Sequence, residues 1–255
     1  MGVLQALRRT PGALARAPGL LVPQLLVFVL LLPQLLLQST YPTASVLLSL
    51  GSSAVLLVGM PFVQGGMLGM ADEALTTRSS LSRFVAEGKA NYLRLLAAYV
   101  VLLVVNGVLG AIGFAAGVGA FVTHDAVRMA FVALAAVAGL TYLVVAFFVQ
   151  FYGQAIVVDG TTVIASFKRS YRVVRANLLA TVGYVLLALV IGALSGGVYA
   201  GVSVLASPEA AATYGLPALS TPLLVGVGLL AAVLGSVASA FMLTFSVAVY
   251  DELAD

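Results

Sequence analysis

Cysteine is absent from this 255-residue chain, which excludes disulfides, thiolate metal sites and thiol catalysis. Histidine is nearly absent: His124 stands alone, beside Asp125. One imidazole without Cys or a second His makes a poor metal site. A His–Asp pair with no nucleophile nearby makes a poor triad, so His124 reads as a solvated loop residue. There is no glycine-rich phosphate loop, because the glycine-rich runs lie inside apolar stretches. No cofactor and no catalytic residue is expected, and the chain is not read as an enzyme.

Charge is scarce as well. Only 8% of the residues are charged, against about 25% in an ordinary soluble domain, and the mean hydropathy is +1.15. So few charges cannot clothe a water-facing surface of this size, so the outer surface must face lipid. A net charge of +3 and a pI near 9.3 would by themselves suggest a nucleic-acid partner. The placement of the basic residues points to a membrane surface instead, and no nucleic acid is expected.

What the chain has is long apolar runs. Crossing the hydrocarbon core takes about 20 mostly apolar residues. Six segments qualify: roughly Gly19–Gln38, Ala44–Ala71, Tyr92–Val122, Met129–Val158, Leu178–Ala206 and Pro222–Tyr250. Several are long enough to tilt or to emerge from the bilayer as helix. The first follows Arg8, Arg9 and Arg16, in the manner of a signal peptide. Its apolar run is too long for one, and no small-x-small cleavage site follows at Ser39–Thr43.

The connections alternate in charge. Arg8, Arg9 and Arg16 precede span 1. Arg78, Arg83, Lys89 and Arg94 lie between or just inside spans 2 and 3, and Lys168, Arg169, Arg172 and Arg175 between spans 4 and 5. Eleven of the twelve basic residues thus fall on one side, leaving Arg128 on the other. Lys/Arg bias in short loops sets orientation, so these loops and both termini are expected in the cytoplasm.

The chain also repeats itself. Lys89-Ala90-Asn91 matches Arg175-Ala176-Asn177, with Ser80 and Ser166 each eleven residues before the Asn and Arg83 aligned with Arg169. Gly66 precedes Asp72 by six residues, as Gly153 precedes Asp159. Arg16-Ala17-Pro18 opens a weaker third copy, and Tyr250-Asp251 supplies its matching end. The sequence predicts one all-α membrane domain over 1–255: six transmembrane helices in three two-helix repeats, about 1–72, 73–159 and 160–251. Each repeat is led in by a basic amphipathic segment and closed by an Asp. With two spans apiece, the copies share one orientation, unlike the inverted repeats of many transporters. Mitochondrial-type carriers also have three two-helix units, but their amphipathic helix lies between the two spans and a Pro-x-acid-x-x-basic motif recurs. Neither holds here.

The lead-in segments Ala6–Leu25 and Ser166–Leu179 resemble those of polytopic membrane proteins from halophilic archaea. These in turn are similar to the membrane domain attached to some bacterial glycerophosphodiester phosphodiesterases. The likeness covers most of the chain and implies fold and location. It carries no phosphodiesterase activity, since the spans leave no room for a catalytic domain.

Three sets of residues stand out within this frame. In Val163–Val174, Val163, Phe167, Tyr171 and Val174 form an apolar stripe opposite Lys168, Arg172 and Arg175. With Arg169, these cations are the candidate contacts for anionic headgroups; the alternative is a topology signal and interfacial anchor. Arg78–Lys89 is a diluted version. Second, Asp72, Asp159 and Asp251 end outbound helices, where an acid opposes the macrodipole. Each is expected to pair with the base of a neighbouring inbound helix, Arg16, Lys89 or Arg175, or else to remain solvated. Third, Gln24, Gln34, Gln64, Asn106, Gln150 and Gln154 are uncharged polar residues within spans. Such side chains usually bond between helices; Gln64, Asn106 and Gln150 are also the candidate lining of a path.

Small-x-x-x-small pairs at Gly65/Gly69, Gly113/Gly117, Gly192/Gly196 and Gly197/Gly201 are expected to pack helices within the monomer. Pro23, Pro33 and Pro61 are expected to kink spans 1 and 2. Two functions follow from all this. One is a structural or regulatory bundle that contacts membrane lipids or another membrane or cytoplasmic protein. The other is a transporter, channel or flippase-like subunit for an uncharged or lipidic substrate.

Overall fold

A computed structural model describes residues 2–37, 41–217 and 219–254, with the side chains of 28, 29, 31–36 and 42 outside the description. Gln34, Pro33 and the end of the first span at Gln38 therefore fall outside the described residues or side chains. The described chain is all α-helix. In order it runs α1 (Gly2–Arg16), a 3-10 turn (Pro18–Leu20), α2 (Leu21–Leu37), α3 (Pro42–Thr76) and α4 (Leu81–Val122). It continues with α5 (Asp125–Val149), α6 (Tyr152–Val157), α7 (Val163–Ala176), α8 (Leu178–Ala206), α9 (Pro208–Thr213) and α10 (Thr221–Ala254).

Among the described residues, five helical stretches are long and apolar enough to cross a membrane: Thr43–Thr76, Leu81–Val122, Asp125–Val157, Leu178–Ala206 and Thr221–Ala254. The first expected span is helical as α2 over 17 residues, about 25 Å at 1.5 Å per residue. The 42 residues of α4 reach about 63 Å, twice the hydrocarbon thickness. Its first turns hold the charged Arg83, Glu87 and Lys89, so the surplus length lies at that end. The chain is thus an all-α protein compatible with a multi-pass membrane location.

Two compact units make up the structure: residues 1–90 with 178–255, and residues 91–177. This division by packing does not follow the repeat boundaries, and the change of unit falls inside α4. In the first unit α10 packs on α1, α2, α3 and α8. In the second, α7 packs on α5 and α6.

Helix starts and stops follow local chemistry. Ala17, outside helical geometry at φ −130° and ψ 62°, separates α1 from the turn that begins with Pro18, where a missing N–H costs nothing. Ser207 caps α9, its hydroxyl accepting from Ala210 N at 3.4 Å. Pro61 does not end α3, which continues through it. The interruption comes instead at Gln150–Phe151, between α5 and α6, where there is no proline.

Candidate functional site

The largest fully buried side chains are Tyr250, Phe151, Phe245, Leu20, Met67 and Leu68, with Met70, Leu95 and Ile156 next. Each lies near the end of a helix bordered by the basic segments. That end of each unit, hereafter its basic end, is the unit's packed part and holds the candidate acids and their cations.

In the first unit α1 buries Ala6, Thr10 and Ala13 and, beyond it, the chain buries Ala17 and Leu20. The spacing of three and four is one helical face, and its small side chains let the backbone come close. A Cβ on Gly2 would stand 3.3 Å from the Glu252 Cβ. Across this contact Arg9 Nη1 donates to Glu252 Oε1 at 2.9 Å and to Asp251 Oδ2 at 3.4 Å. Arg16 reaches α3: its Nε donates to the Ala74 carbonyl at 2.9 Å and its Nη2 to the Leu75 carbonyl at 3.0 Å. These are last-turn carbonyls with no intrahelical donor, and the cation also meets the negative end of the α3 dipole.

The turn 77–80 folds the first turns of α4 back on α3. Glycines make this possible. A Cβ at Gly66 would stand 2.5 Å from the Phe84 carbonyl oxygen, and one at Gly88 2.9 Å from the Phe62 carbonyl oxygen. Phe62 and Phe84 meet edge to face at 5.5 Å. Arg83 Nη2 pairs with Glu87 at 3.0 Å, and Ser79 Oγ donates to Glu73 Oε2 at 2.6 Å.

In the second unit Leu95, Ala98 and Ile156 form a core against Tyr152, Val157, Val163 and Phe167. Ser170 holds the α5–α6 break: its hydroxyl donates to the Phe148 carbonyl at 2.8 Å and accepts from the Phe151 N–H at 3.1 Å. Both backbone groups released by the interruption are thereby satisfied. Below the break Arg169 Nε donates to Asp159 Oδ2 at 3.0 Å, and Arg94 Nη1 donates to the Gly160 carbonyl at 3.2 Å. Gly160 sits at φ +65°, a left-handed value that favours glycine.

The expected ion pairs are therefore corrected in their partners. Asp251 meets Arg9 and Asp159 meets Arg169, not Arg16, Lys89 or Arg175. Arg16 serves carbonyls, while Lys89 and Arg175 are exposed and form no ion pair among the described residues. Asp72 has none within 4 Å among the described residues, although Asp251, Arg83 and Glu87 are its electrostatic neighbours. The reason is geometric: each lead-in helix lies alongside the outbound helix, so its middle and not its last residue faces the Asp.

On α7 the buried line is Ser166, Ser170, Val173 and Val174, with Val163 and Phe167 half-buried and Tyr171 exposed. The inward face is thus rotated from the expected stripe toward its serines. Lys168, Arg172 and Arg175 are exposed and, among the described residues, unpaired; Arg169 is engaged by Asp159.

The polar span residues are dispersed. Gln64 is in the first unit, its Oε1 buried and without a partner among the described residues. Gln150 and Asn106 are in the second. Gln150 Nε2 donates to the Phe147 carbonyl at 2.8 Å. Asn106 lines a cavity of about 280 Å³ with Gly110, Gly113, Gly139 and Tyr142. Gln154 is buried and Gln24 half-buried. The glycine expectation is corrected too: at Gly113, Gly117, Gly192, Gly196, Gly197 and Gly201 a Cβ would meet nothing within 4 Å. Of the expected pairs, Gly69 does pack closely, a Cβ there running into the Glu87 side chain, and Gly66, Gly88 and Gly119 add close contacts outside those pairs. His124 is exposed at the start of α5, and no group of three metal-ligating side chains occurs among the described residues.

Ser170 escaped the sequence reading, which stopped at Ser166; its signal was a second hydroxyl one turn on, on the same face. Residues 1–253 match the family described as Domain of unknown function (DUF7847), and the chain belongs to that family. No curated protein and no solved structure matches the chain.

Proposed function

We propose that this chain, a member of that family, is a non-enzymatic integral membrane protein whose basic end works at the cytoplasmic surface of the cell membrane, against anionic lipid headgroups. The observation that carries this reading is the row Lys168, Arg172 and Arg175, exposed on α7 opposite its buried face. Helical spacing of i, i+4 and i+7 puts the three ammonium and guanidinium groups on one line. A basic residue near an anionic leaflet contributes about 1 kcal/mol. An amphipathic helix with that face outward lies in the headgroup layer.

Six spans complete the proposal, with α2 as the first, both termini cytoplasmic and three repeats. Supporting the repeats, the contacts recur in cyclic order. α1 lies on α10, the first turns of α4 lie on α3, and α7 lies on α6, so each lead-in segment rests on the outbound helix preceding it. Arg9 with Asp251 and Arg169 with Asp159 occupy like places in two of these contacts. The likeness to polytopic proteins of halophilic archaea fits the same architecture. A further membrane or cytoplasmic protein is the second class of partner, docking on the same basic face.

Transport of an uncharged or lipidic substrate is the second reading, favoured by the cavity that Asn106 and Tyr142 line. Spin-labelled phosphatidylglycerol and phosphatidylcholine, in membranes reconstituted with the full chain, separate the readings. The wild type should immobilise phosphatidylglycerol preferentially. The triple change Lys168→Gln, Arg172→Gln and Arg175→Gln should abolish most of that preference, and an unchanged preference would end the headgroup reading. Loss of preference on Asn106→Leu alone would favour the cavity.

A further inference from the structure

The first unit contains an apolar groove of about 280 Å³. Leu26 and Leu30 of α2 form one wall, Val55 and Gly59 of α3 the other, and Leu81 and Phe84 at the start of α4 the floor. Among the described residues, no charged or hydrogen-bonding side chain lines it. Its α2 wall runs from Val22 to Leu30, about 12 Å of helix, so the groove is long and follows the helix axes. Leu26 is 57% and Val55 66% exposed, which places the opening sideways, where a span meets lipid. A Cβ at Gly59 would meet nothing within 4 Å, so the protein leaves this space unfilled. The floor, in contrast, is firm: Phe84 is fixed against Gly66 and against the ring of Phe62.

Charge distinguishes the two ends of the groove. Its floor is the segment that follows Arg78 and Ser80. Arg78 is exposed and forms no ion pair among the described residues. Two and four residues on, at the first turn of α4, the Ser80 and Ser82 hydroxyls lie 2.7 Å apart. A slot open to the bilayer, apolar along its length and cationic at its basic end, matches the charge distribution of one molecule in its surroundings. We propose that the groove holds an acyl chain of an anionic phospholipid from the bilayer, with its phosphate on Arg78. This deepens the lipid-surface reading and rests on the membrane location, but not on α7. The bound lipid is a single resident molecule, whereas the α7 row meets a headgroup surface.

The experiment is native mass spectrometry of the full chain, released from detergent after incubation with dioleoylphosphatidylglycerol or dioleoylphosphatidylcholine. The wild type should retain one phosphatidylglycerol more tightly than it retains phosphatidylcholine. Gly59→Leu fills the groove and should weaken that retention about tenfold. Gly183→Leu, where a Cβ likewise meets nothing within 4 Å, should leave it unchanged. Arg78→Gln should keep the lipid but remove the preference for phosphatidylglycerol. Val55→Phe, at an exposed position, repeats the test should Gly59→Leu fail to fold. Retention by Gly59→Leu and Val55→Phe equal to the wild type overturns the proposal. So does equal retention of the two lipids, or a second copy of the chain cross-linking to a cysteine at position 59. Substituting Lys168, Arg172 and Arg175 should not affect this retention, so the α7 reading can fail while the groove stands, and the reverse.

Discussion

In α10 every residue from Thr244 to Tyr250 is buried, whereas α5 buries Ala138 alone among its described residues. Phe245 is fully enclosed while Phe121, at the far end of α4, is 89% exposed. The same side chain is thus core at one end of the helices and surface at the other. On the proposed membrane placement, water explains the first and lipid the second. Near the headgroups apolar atoms gain by leaving water, and the basic end is sealed by close contacts at Gly66 and Gly88 and by satisfied carbonyls at Ala74, Leu75 and Gly160. In hydrocarbon no such force draws helices together, and the shafts need only keep their backbone hydrogen bonds internal.

Substitutions should break this contrast in a fixed order. Gly66→Ala drives a Cβ to 2.5 Å from the Phe84 carbonyl oxygen and should lower stability by about 1–3 kcal/mol. Gly192→Ala, in open space on a shaft, should gain up to about 1 kcal/mol from helix propensity. Denaturation in bicelles, followed by circular dichroism, reads both. Equal losses would show that shafts pack as tightly as the basic end. Ser170→Ala removes the hydroxyl that accepts from the buried Phe151 N–H and donates to the Phe148 carbonyl and should cost about 1–3 kcal/mol. Ser195→Ala removes only a hydroxyl that donates one turn back to Ile191, and its effect should stay within about 0.5 kcal/mol. Arg9→Gln should cost less than either loss at the basic end, at Gly66 or at Ser170. Its ion pairs are partly exposed, at 36% for Arg9, so the loss should be about 0.2–1 kcal/mol and shrink as salt is raised.

Helices and their apolar runs were legible because length and hydropathy act locally, and five stretches cross the length threshold as read. The exposed cations of α7 were legible from period alone. Pairing was less so. The acids Asp159 and Asp251 and the general need for cations could be read, but the sequence neighbour of the inbound helix, Arg175 or Arg16, was the wrong register. Which turn of a lead-in helix faces an Asp depends on how two helices lie together. Glycine spacing was right at Gly69 and misled at Gly192/Gly196 for a similar reason: the pairs look alike in sequence, and only the neighbour across the contact distinguishes them. The break at Gln150–Phe151 has no proline to announce it and depends on Ser170, twenty residues downstream of Gln150.

Since the chain has no cysteine, single cysteines can report which side of the membrane each connection occupies. Tyr41, Thr77, His124, Thr162 and Tyr214 are exposed positions in successive connections. With six spans and a cytoplasmic basic end, a membrane-impermeant maleimide on intact cells should label Tyr41→Cys, His124→Cys and Tyr214→Cys. Thr77→Cys and Thr162→Cys should label only after permeabilisation. Labelling of Thr77→Cys or Thr162→Cys in intact cells, or protection of Tyr41→Cys there, would contradict the account.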